Sequence, residues 1–333
     1  MKILAIETSC DETAVAVTEE RRVLSSVVAS QIDEHSLYGG VVPEIASRRH
    51  VESISQLYRE ALEQSEITAA DIGAVAVTYA PGLIGALLVG ISFAKSLAYT
   101  LDVPLIPVHH LRAHIAANYI EYPQLEPPFL SLVVSGGHSH LIQVKNYTEF
   151  KVLGRTMDDA AGECFDKTAR VLGLGYPGGV YLDKIAEDGN DKAYTLPRPK
   201  VDGEFDFSFS GLKTAVMNTV NRANMTGETI NVPDMAACVR TAVCDILIGK
   251  TLNCAKKHGY DKIVLAGGVS ANSELRRRFL IEGRNNNIQI FIPPLELCGD
   301  NAAMVGVAAF YEHQAGKYAG MNLNGYASLA VDN

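Results

Sequence analysis

The chain has 333 residues and a formal net charge of −9 at pH 7, and it is 47% hydrophobic and 20% charged. This length favours two domains, and the acidic charge argues against a general nucleic-acid binder. Its six cysteines form no Cys-x-x-Cys pair, which is typical of free thiols in a reducing cytoplasm. Three short basic runs are each either a local basic surface or a solvated helix face. They lie at 48–50, 256–258 and 276–278.

Two stretches share one pattern, in which an apolar run is followed by a Ser- or Gly-containing turn and a second apolar run. Residues 3–17 and 130–144 each predict strand, turn and strand, and the repetition indicates a duplicated α/β domain. A Pro-containing connector at 121–128 separates them. We therefore predict domains at 1–125 and 126–314, with a C-terminal helix over 315–333 that returns to the first domain.

The remaining elements are predicted from apolar periodicity and turn residues. Helices are expected at 45–63, 83–98, 108–119, 158–172, 180–187, 235–257, 272–282 and 301–314, with strands at 74–78 and 263–266. The polar loop at 189–207 is long enough to be functional or mobile. The start of the chain lacks a signal-peptide pattern, and the apolar stretch 83–94 is too short to span a bilayer, so it predicts a buried helix and no membrane contact.

His110 and His114 would lie one turn apart on one face of the helix at 108–119. Two imidazoles so placed can bind one divalent metal, and a distant carboxylate such as Asp300 can complete the shell. Asp300 is also placed to cap the helix at 301–314. The spacing is similar to the zincin helix His-Glu-x-x-His, but Leu111 occupies the position of the water-activating glutamate. A metal here is expected to hold a substrate rather than to hydrolyse a peptide.

Glycine pairs follow two predicted strands, Gly136-Gly137 after 130–134 and Gly267-Gly268 after 263–266. Such a pair usually marks a tight turn, but it also lets a ligand approach the backbone at the carboxyl end of a strand. Asn272 then either caps the next helix or contacts a sugar hydroxyl.

Two acidic clusters stand out at 158–167 and 176–183. Asp166 and Asp183 can each accept hydrogen bonds from a ribose or an amine. Glu163 and Lys167 are interpreted as an i,i+4 ion pair on a helix surface.

The order and spacing of these motifs resemble the bacterial members of the tRNA N6-adenosine threonylcarbamoyltransferase family, once described as glycoproteases. The match runs nearly end to end. It rests on the motifs at 7–13, 39–50, 81–83, 109–114, 134–138, 158–163, 176–179, 207–214, 266–272 and 300–301. Small departures occur at Tyr79-Ala80, where a more glycine-rich pair is common, and at Gly299, where threonine is common.

The resemblance implies an α/β protein with two related domains of the actin/sugar kinase/Hsp70-like (ASKHA) fold and a nucleotide cleft between them. It implies transfer of the threonylcarbamoyl group from threonylcarbamoyl-adenylate to the exocyclic amino nitrogen of adenosine 37, in tRNAs reading codons that begin with A. An upstream adenylate-forming enzyme would supply the donor. The implied protein partners are an inactive paralogue subunit and a small ATPase, which would supply part of the basic surface that binds tRNA. The implied location is the cytoplasm. The helix over 45–57 is either a docking face or an ordinary core-packing helix.

By motif position, His110, His114 and Asp300 would hold one divalent ion per subunit, Fe²⁺ or Zn²⁺. The residues implied to hold the adenylate or an ATP-type nucleotide are Val134, Ser135, Gly136, Gly137, His138, Asp166, Gly179, Asp183 and Asn272. Asp11, in the first strand turn beside Glu12, is proposed as the base for the attacking amine. The alternative is that both acidic residues satisfy backbone amides of the turn.

Three other classes of function stay open at this point. A metal-dependent glycoprotease would need the glutamate that Leu111 replaces. An ATP-dependent phosphotransferase would have no use for a histidine-bound metal. A regulatory ATPase or scaffold would need none of the proposed ligands.

Overall fold

The structure is a computed structural model that describes residues 1–332. Its strands are β1 (Lys2–Glu7), β2 (Glu12–Glu19), β3 (Arg22–Ser30), β4 (Ile72–Ala80), β5 (Leu105–His109), β6 (Phe129–Val134), β7 (Ser139–Asn146), β8 (Glu149–Arg155), β9 (Lys262–Ala266) and β10 (Gln289–Phe291). Its helices are α1 (Ile32–Ser36), α2 (Pro43–Gln64), α3 (Ile84–Leu101), α4 (His110–Glu121), α5 (Ala161–Val171), α6 (Gly178–Ile185), α7 (Ser210–Thr226), α8 (Val232–His258), α9 (Ser273–Asn286) and α10 (Ala302–Gln314).

The chain divides into two compact units. Unit 1 comprises residues 1–128, 144–151 and 293–332, and unit 2 comprises Phe129–Gln143 and Val152–Ile292. This division differs from the expected boundaries, because residues 293–314 belong to the first unit. The physical reason is that α10 packs against β1, β2 and α4. Residues 315–332 also return to unit 1, but without the expected helix, and Ala319 pairs with Leu105 through a backbone hydrogen bond of 2.9 Å.

Unit 1 is built on a five-stranded sheet in the order β3-β2-β1-β4-β5. The strands β2 and β3 continue antiparallel from β1, whereas β4 lies parallel to β1 and β5 parallel to β4. Strands β1 and β4 are buried almost throughout, which explains their near-continuous apolar sequences. The helix α2 begins at Pro43 and turns a face with buried His50, Ile54 and Leu57 towards the sheet.

The helix α3 is long and apolar enough to cross a membrane by length and composition, so the expectation that this stretch is too short is wrong on length. In the structure its residues Leu87, Ile91 and Ala94 lie in the core of unit 1. A core helix has the same composition, because its buried face must be apolar.

Unit 2 contains a second five-stranded sheet in the order β10-β9-β6-β7-β8. Read in the opposite direction, this order matches that of unit 1, with β6 in the place of β1 and β9 in the place of β4. The predicted duplication of an α/β domain is therefore confirmed at the level of sheet order.

Three predictions in unit 2 need correction or extension. The helix α5 begins at Ala161 and not at 158, so Asp158 and Asp159 precede it. The helix α7 was not predicted at all. Residues 189–207 do form a polar loop, but Lys250 on α8 donates to the Glu204 carbonyl at 2.7 Å, so the loop is tied to the helix.

Candidate functional site

His110 and His114 lie on the first turns of α4, which follows β5 without an intervening loop residue. His110 Nε2 lies 3.6 Å and His114 Nε2 3.1 Å from Asp300 Oδ1. A ligand atom from each of the three residues lies within 4.8 Å of the others. Two imidazole nitrogens and a carboxylate oxygen form a donor set that suits Fe²⁺ or Zn²⁺. The structure therefore brings the three predicted ligands together in a group compatible with a divalent metal.

Glu7, the last residue of β1, contacts His110 on the Nδ1 side of the ring, whereas Asp300 lies on the Nε2 side. Its Oε2 lies 3.2 Å from His110 Nδ1 and accepts a hydrogen bond from Thr78 at 2.7 Å, while its Oε1 accepts one from the Ser9 amide at 2.6 Å. A carboxylate on Nδ1 fixes the tautomer that directs the lone pair of Nε2 to a metal. Sequence reasoning gave Glu7 no role, although a carboxylate at the end of an apolar strand is a signal for one.

The electrostatics of the group favour a cation at its centre. Burial opposes charge on His110, but Asp300 and Glu7 raise its pKa to about 9. Burial likewise opposes charge on Glu7, but the His110 ring holds the pKa of this carboxyl below its usual value. Without a metal, the imidazolium of His110 provides the positive charge between two carboxylates.

Asp11 and Glu12 lie where β2 begins, and the Asp11 carbonyl accepts a hydrogen bond from the Gln31 amide at 3.1 Å. Burial, with Asp300 and Asp11 nearby, raises the pKa of Glu12 to about 10. Glu12 therefore holds the proton of this acidic pair at neutral pH.

The expectation that Asp300 caps the following helix is wrong. Asn301 is the N-cap of α10, and its side chain accepts a hydrogen bond from the Met304 amide at 2.9 Å. The carboxylate of Asp300 faces the two imidazoles instead.

In unit 2, the predicted ligand residues 134–138 form the end of β6 and the turn that follows. The Ser135 amide donates to the His138 carbonyl at 2.8 Å, so the turn is tight as predicted. A Cβ added at Gly136 or Gly137 would meet nothing within 4 Å. Local packing around the Cα atoms therefore does not require a glycine at either position, and both residues are exposed.

The other four predicted ligand residues lie in two groups, each at the start of a helix. At α6, the Gly179 amide donates to Asp166 Oδ1 at 3.1 Å, and burial raises the pKa of this aspartate. At α9, Asn272 accepts from the Leu275 amide at 3.0 Å, which confirms that it caps the helix.

Asp183 reaches the same end of α9. It accepts hydrogen bonds from the Ser273 amide at 2.8 Å and from Arg240 at 2.9 Å. Its carboxylate therefore has a structural role, and a contact with ribose stays a prediction. The predicted Glu163–Lys167 pair is confirmed at 2.5 Å, and Lys167 also reaches Asp159 at 3.1 Å.

Comparison with solved structures shows the fold class. The chain is similar to full-length HypF (TM-score 0.61, 16% identity), covering 98% of this chain and 47% of that one. It is similar to the (R)-2-hydroxyglutaryl-CoA dehydratase component A of Acidaminococcus fermentans (TM-score 0.54, 15% identity, 94% and 99% covered) and to the ROK hexokinase of Thermus thermophilus (TM-score 0.51, 16% identity, 94% and 100% covered). The protein is thus a two-domain α/β protein of the ASKHA class, as expected.

Comparison of sequences is more specific. The family profile described as tRNA N6-adenosine threonylcarbamoyltransferase matches residues 22–307. A relative with that name from Clostridium novyi (strain NT) is 52% identical over 334 residues, covering 99% of this chain and 98% of the relative. One from Clostridioides difficile (strain 630) is 50% identical over 331 residues, with the same coverage.

The chain belongs to the tRNA N6-adenosine threonylcarbamoyltransferase family. It is therefore an acyltransferase that modifies tRNA, which confirms the expected function over the three alternatives.

Proposed function

We propose that the chain transfers threonylcarbamoyl from threonylcarbamoyl-adenylate to the exocyclic amino nitrogen of adenosine 37, in tRNAs that read codons beginning with A. The observation that carries this proposal is the convergence of His110 Nε2, His114 Nε2 and Asp300 Oδ1 on one point in a member of this family. The donor arises from an adenylate-forming enzyme upstream.

The proposed resident ion is Fe²⁺ or Zn²⁺, and both suit the donor set. When bound, the ion supplies positive charge that polarises a carbamoyl oxygen or anchors the phosphate and threonyl oxygens of the donor. His110, His114 and Asp300 fix its place, and Glu7 keeps the His110 ring in the coordinating tautomer.

Asp11 is the proposed acceptor of the proton that the adenosine amine loses as it attacks. The support is that Glu12, its neighbour and hydrogen-bond partner, already holds a proton at neutral pH. A protonated Glu12 donates to Asp11 and keeps this carboxylate in one orientation.

The adenylate is proposed to bind unit 2 at the carboxyl end of β6. The exposed glycine backbone at Gly136 and Gly137 suits its phosphate, with His138, Val134 and Ser135 completing the turn. The carboxylates of Asp166 and Asp183, with Gly179 and Asn272, lie at two helix starts where ribose hydroxyls can be recognised.

An inactive paralogue subunit is proposed to dock on unit 1, in the groove between α2 and α3. Val51 and Leu88 line this groove and are 62% and 40% exposed, which is high for large apolar side chains. With a net charge of −9, the chain is expected to rely on this subunit and on a small ATPase for part of its basic surface, in the cytoplasm. Substituting Val51→Asp should prevent formation of the complex with the paralogue but leave the metal content unchanged.

The test is reconstitution with threonylcarbamoyl-adenylate, a tRNA reading an A-starting codon, and the partner subunits, with the modified base scored by mass. His114→Ala should lose both the metal and the product, whereas Val180→Ala, an exposed apolar residue on α6, should keep the metal. Product formation by metal-free protein at the wild-type rate would contradict the role of the metal. Peptide cleavage or steady ATP consumption without tRNA modification would contradict the proposed reaction.

A further inference from the structure

His50 is a fully buried histidine on α2, and no step described so far uses it. Both of its ring nitrogens have partners near the start of β2. Nε2 lies 2.9 Å from the Cys10 carbonyl oxygen, and Nδ1 lies 2.8 Å from the hydroxyl of Thr13. The two contacts fall on either side of the acidic pair Asp11 and Glu12.

The chemistry of these partners defines the state of the ring. A carbonyl oxygen only accepts, so Nε2 of His50 carries the hydrogen, and Nδ1 accepts from the Thr13 hydroxyl. Burial lowers the pKa of His50, which agrees with this neutral form. One ring thus donates to the residue before the acidic pair and accepts from the residue after it.

The same turn is held from a second side. The amide of Gln31, just after β3, donates to the Asp11 carbonyl at 3.1 Å. The side chain of Gln31 lies 3.5 Å from His50 Nδ1 and 3.2 Å from His35 Nε2, both buried. The backbone at Cys10 and Asp11 and the Thr13 side chain are therefore all held by buried hydrogen bonds.

We propose that His50 is a positioning residue for the transfer reaction. It braces the segment from Cys10 to Thr13, so that the Asp11 carboxylate, with the Glu12 carboxyl group that donates to it, keeps the orientation in which it meets the attacking amine. This inference rests on the proposed function, in which Asp11 accepts the proton of the amine and Glu12 donates a hydrogen bond to Asp11. A displacement of about 1 Å in such a group costs on the order of 100-fold in rate.

The test compares three variants in the reconstituted reaction with partner subunits. His50→Leu removes both hydrogen bonds, and kcat should fall about 10–100-fold while the KM for tRNA and the metal content stay at wild-type values. His50→Gln offers one donor and one acceptor, so it should restore kcat to within about 5-fold of wild type. Thr13→Val removes one bond and should give an intermediate kcat.

Ser25→Ala is the matched control. Ser25 Oγ donates to the Ala61 carbonyl at 2.7 Å, so this substitution also removes one buried hydrogen bond between the sheet and α2, but away from the turn. It should leave kcat unchanged. An equal loss of kcat in His50→Leu and His50→Gln would overturn the inference. So would a kcat in His50→Leu as high as that in Ser25→Ala. Should His50→Leu fail to fold, wild-type kcat in Thr13→Val would overturn it. A wild-type enzyme that makes no modified base would instead sink the proposed function.

Discussion

The Glu7 carboxylate and the His110 imidazole are buried side by side, with Oε2 3.2 Å from Nδ1. The two residues are far apart in sequence. The contact forms because β1 ends at Glu7 and the parallel strand β5 ends just before His110, at the same end of the sheet.

Glu7→Gln should weaken metal binding by about 10–100-fold, because the amide keeps the shape of the side chain but loses the charge that makes His110 a strong ligand. The measurement is competition with a chromophoric chelator under anaerobic conditions. Glu149→Gln is the control, since Glu149 pairs with Lys145 on the surface. The Glu149→Gln protein should bind metal with the affinity of the wild type. Equal affinities for the two variants would show that Glu7 does not tune the site.

The metal-free protein should lose stability as the pH rises. The folded state raises the pKa of His110 from 6.5 to about 9, so this group stabilises the fold fully below about pH 6.5 and ceases to do so as the pH passes through 9. His110 should contribute a fall on the order of 3 kcal/mol to the free energy of unfolding across this window, in addition to the fall from Glu12, whose pKa the fold also raises. Urea unfolding in the presence of a chelator measures the total, and His110→Asn should show the smaller fall. The same slope in both proteins would refute the assignment.

Arg21→Ala should destabilise unit 1 by about 2–4 kcal/mol. The guanidinium lies 5.2 Å from the ring centre of Tyr119, and it donates to the Tyr147 hydroxyl at 3.0 Å and to the Pro123 carbonyl at 2.6 Å. Denaturant unfolding measures the loss.

The adjacent Arg22 provides the control for that measurement. It pairs only with Glu19 among the ion pairs of the described residues, and its side chain is 72% exposed, so Arg22→Ala should change stability by less than about 0.5 kcal/mol. Similar effects for the two arginines would contradict the importance of the aromatic surroundings.

Asp158→Ala should fray the start of α7 and cost about 1–2 kcal/mol. The carboxylate accepts from the amides of Phe209 and Ser210, at 2.8 and 3.2 Å, and from the Ser208 hydroxyl at 2.5 Å. Hydrogen exchange should quicken over the first turn of α7. The exposed Asp202→Ala should leave exchange there unchanged, and protection that survives in Asp158→Ala would rule out the cap.

Local periodicity predicted what depends on local geometry. The spacing of His110 and His114 fixes their common face on any helix, and the apolar runs of β1 and β6 identify buried strands. No spacing could link Asp300 to the histidines: the chemistry of a metal shell suggested a distant carboxylate such as Asp300, and the resemblance to the family then implied it by motif position.

Long-range contacts decided the rest. Glu7 and His110 come together only through the pairing of the strands that carry them. Asp300 and Asn301 are both residue types that cap helices, and only the tertiary structure determines that Asn301 caps α10. The helix α7 escaped prediction because its polar and β-branched residues, with Gly211 in the first turn, give little helical pattern.

The direct junction between β5 and α4 has a further consequence. His109 ends the strand and His110 begins the helix, so the first imidazole is anchored to the sheet with no slack in the chain. Glu7 is anchored to the same sheet two strands away, through β4. The spacing of the strands therefore fixes the position of the His110 imidazole, whereas Asp300 lies on the short non-helical stretch before α10. An ion of a different size would be accommodated by movement of Asp300 rather than of His110.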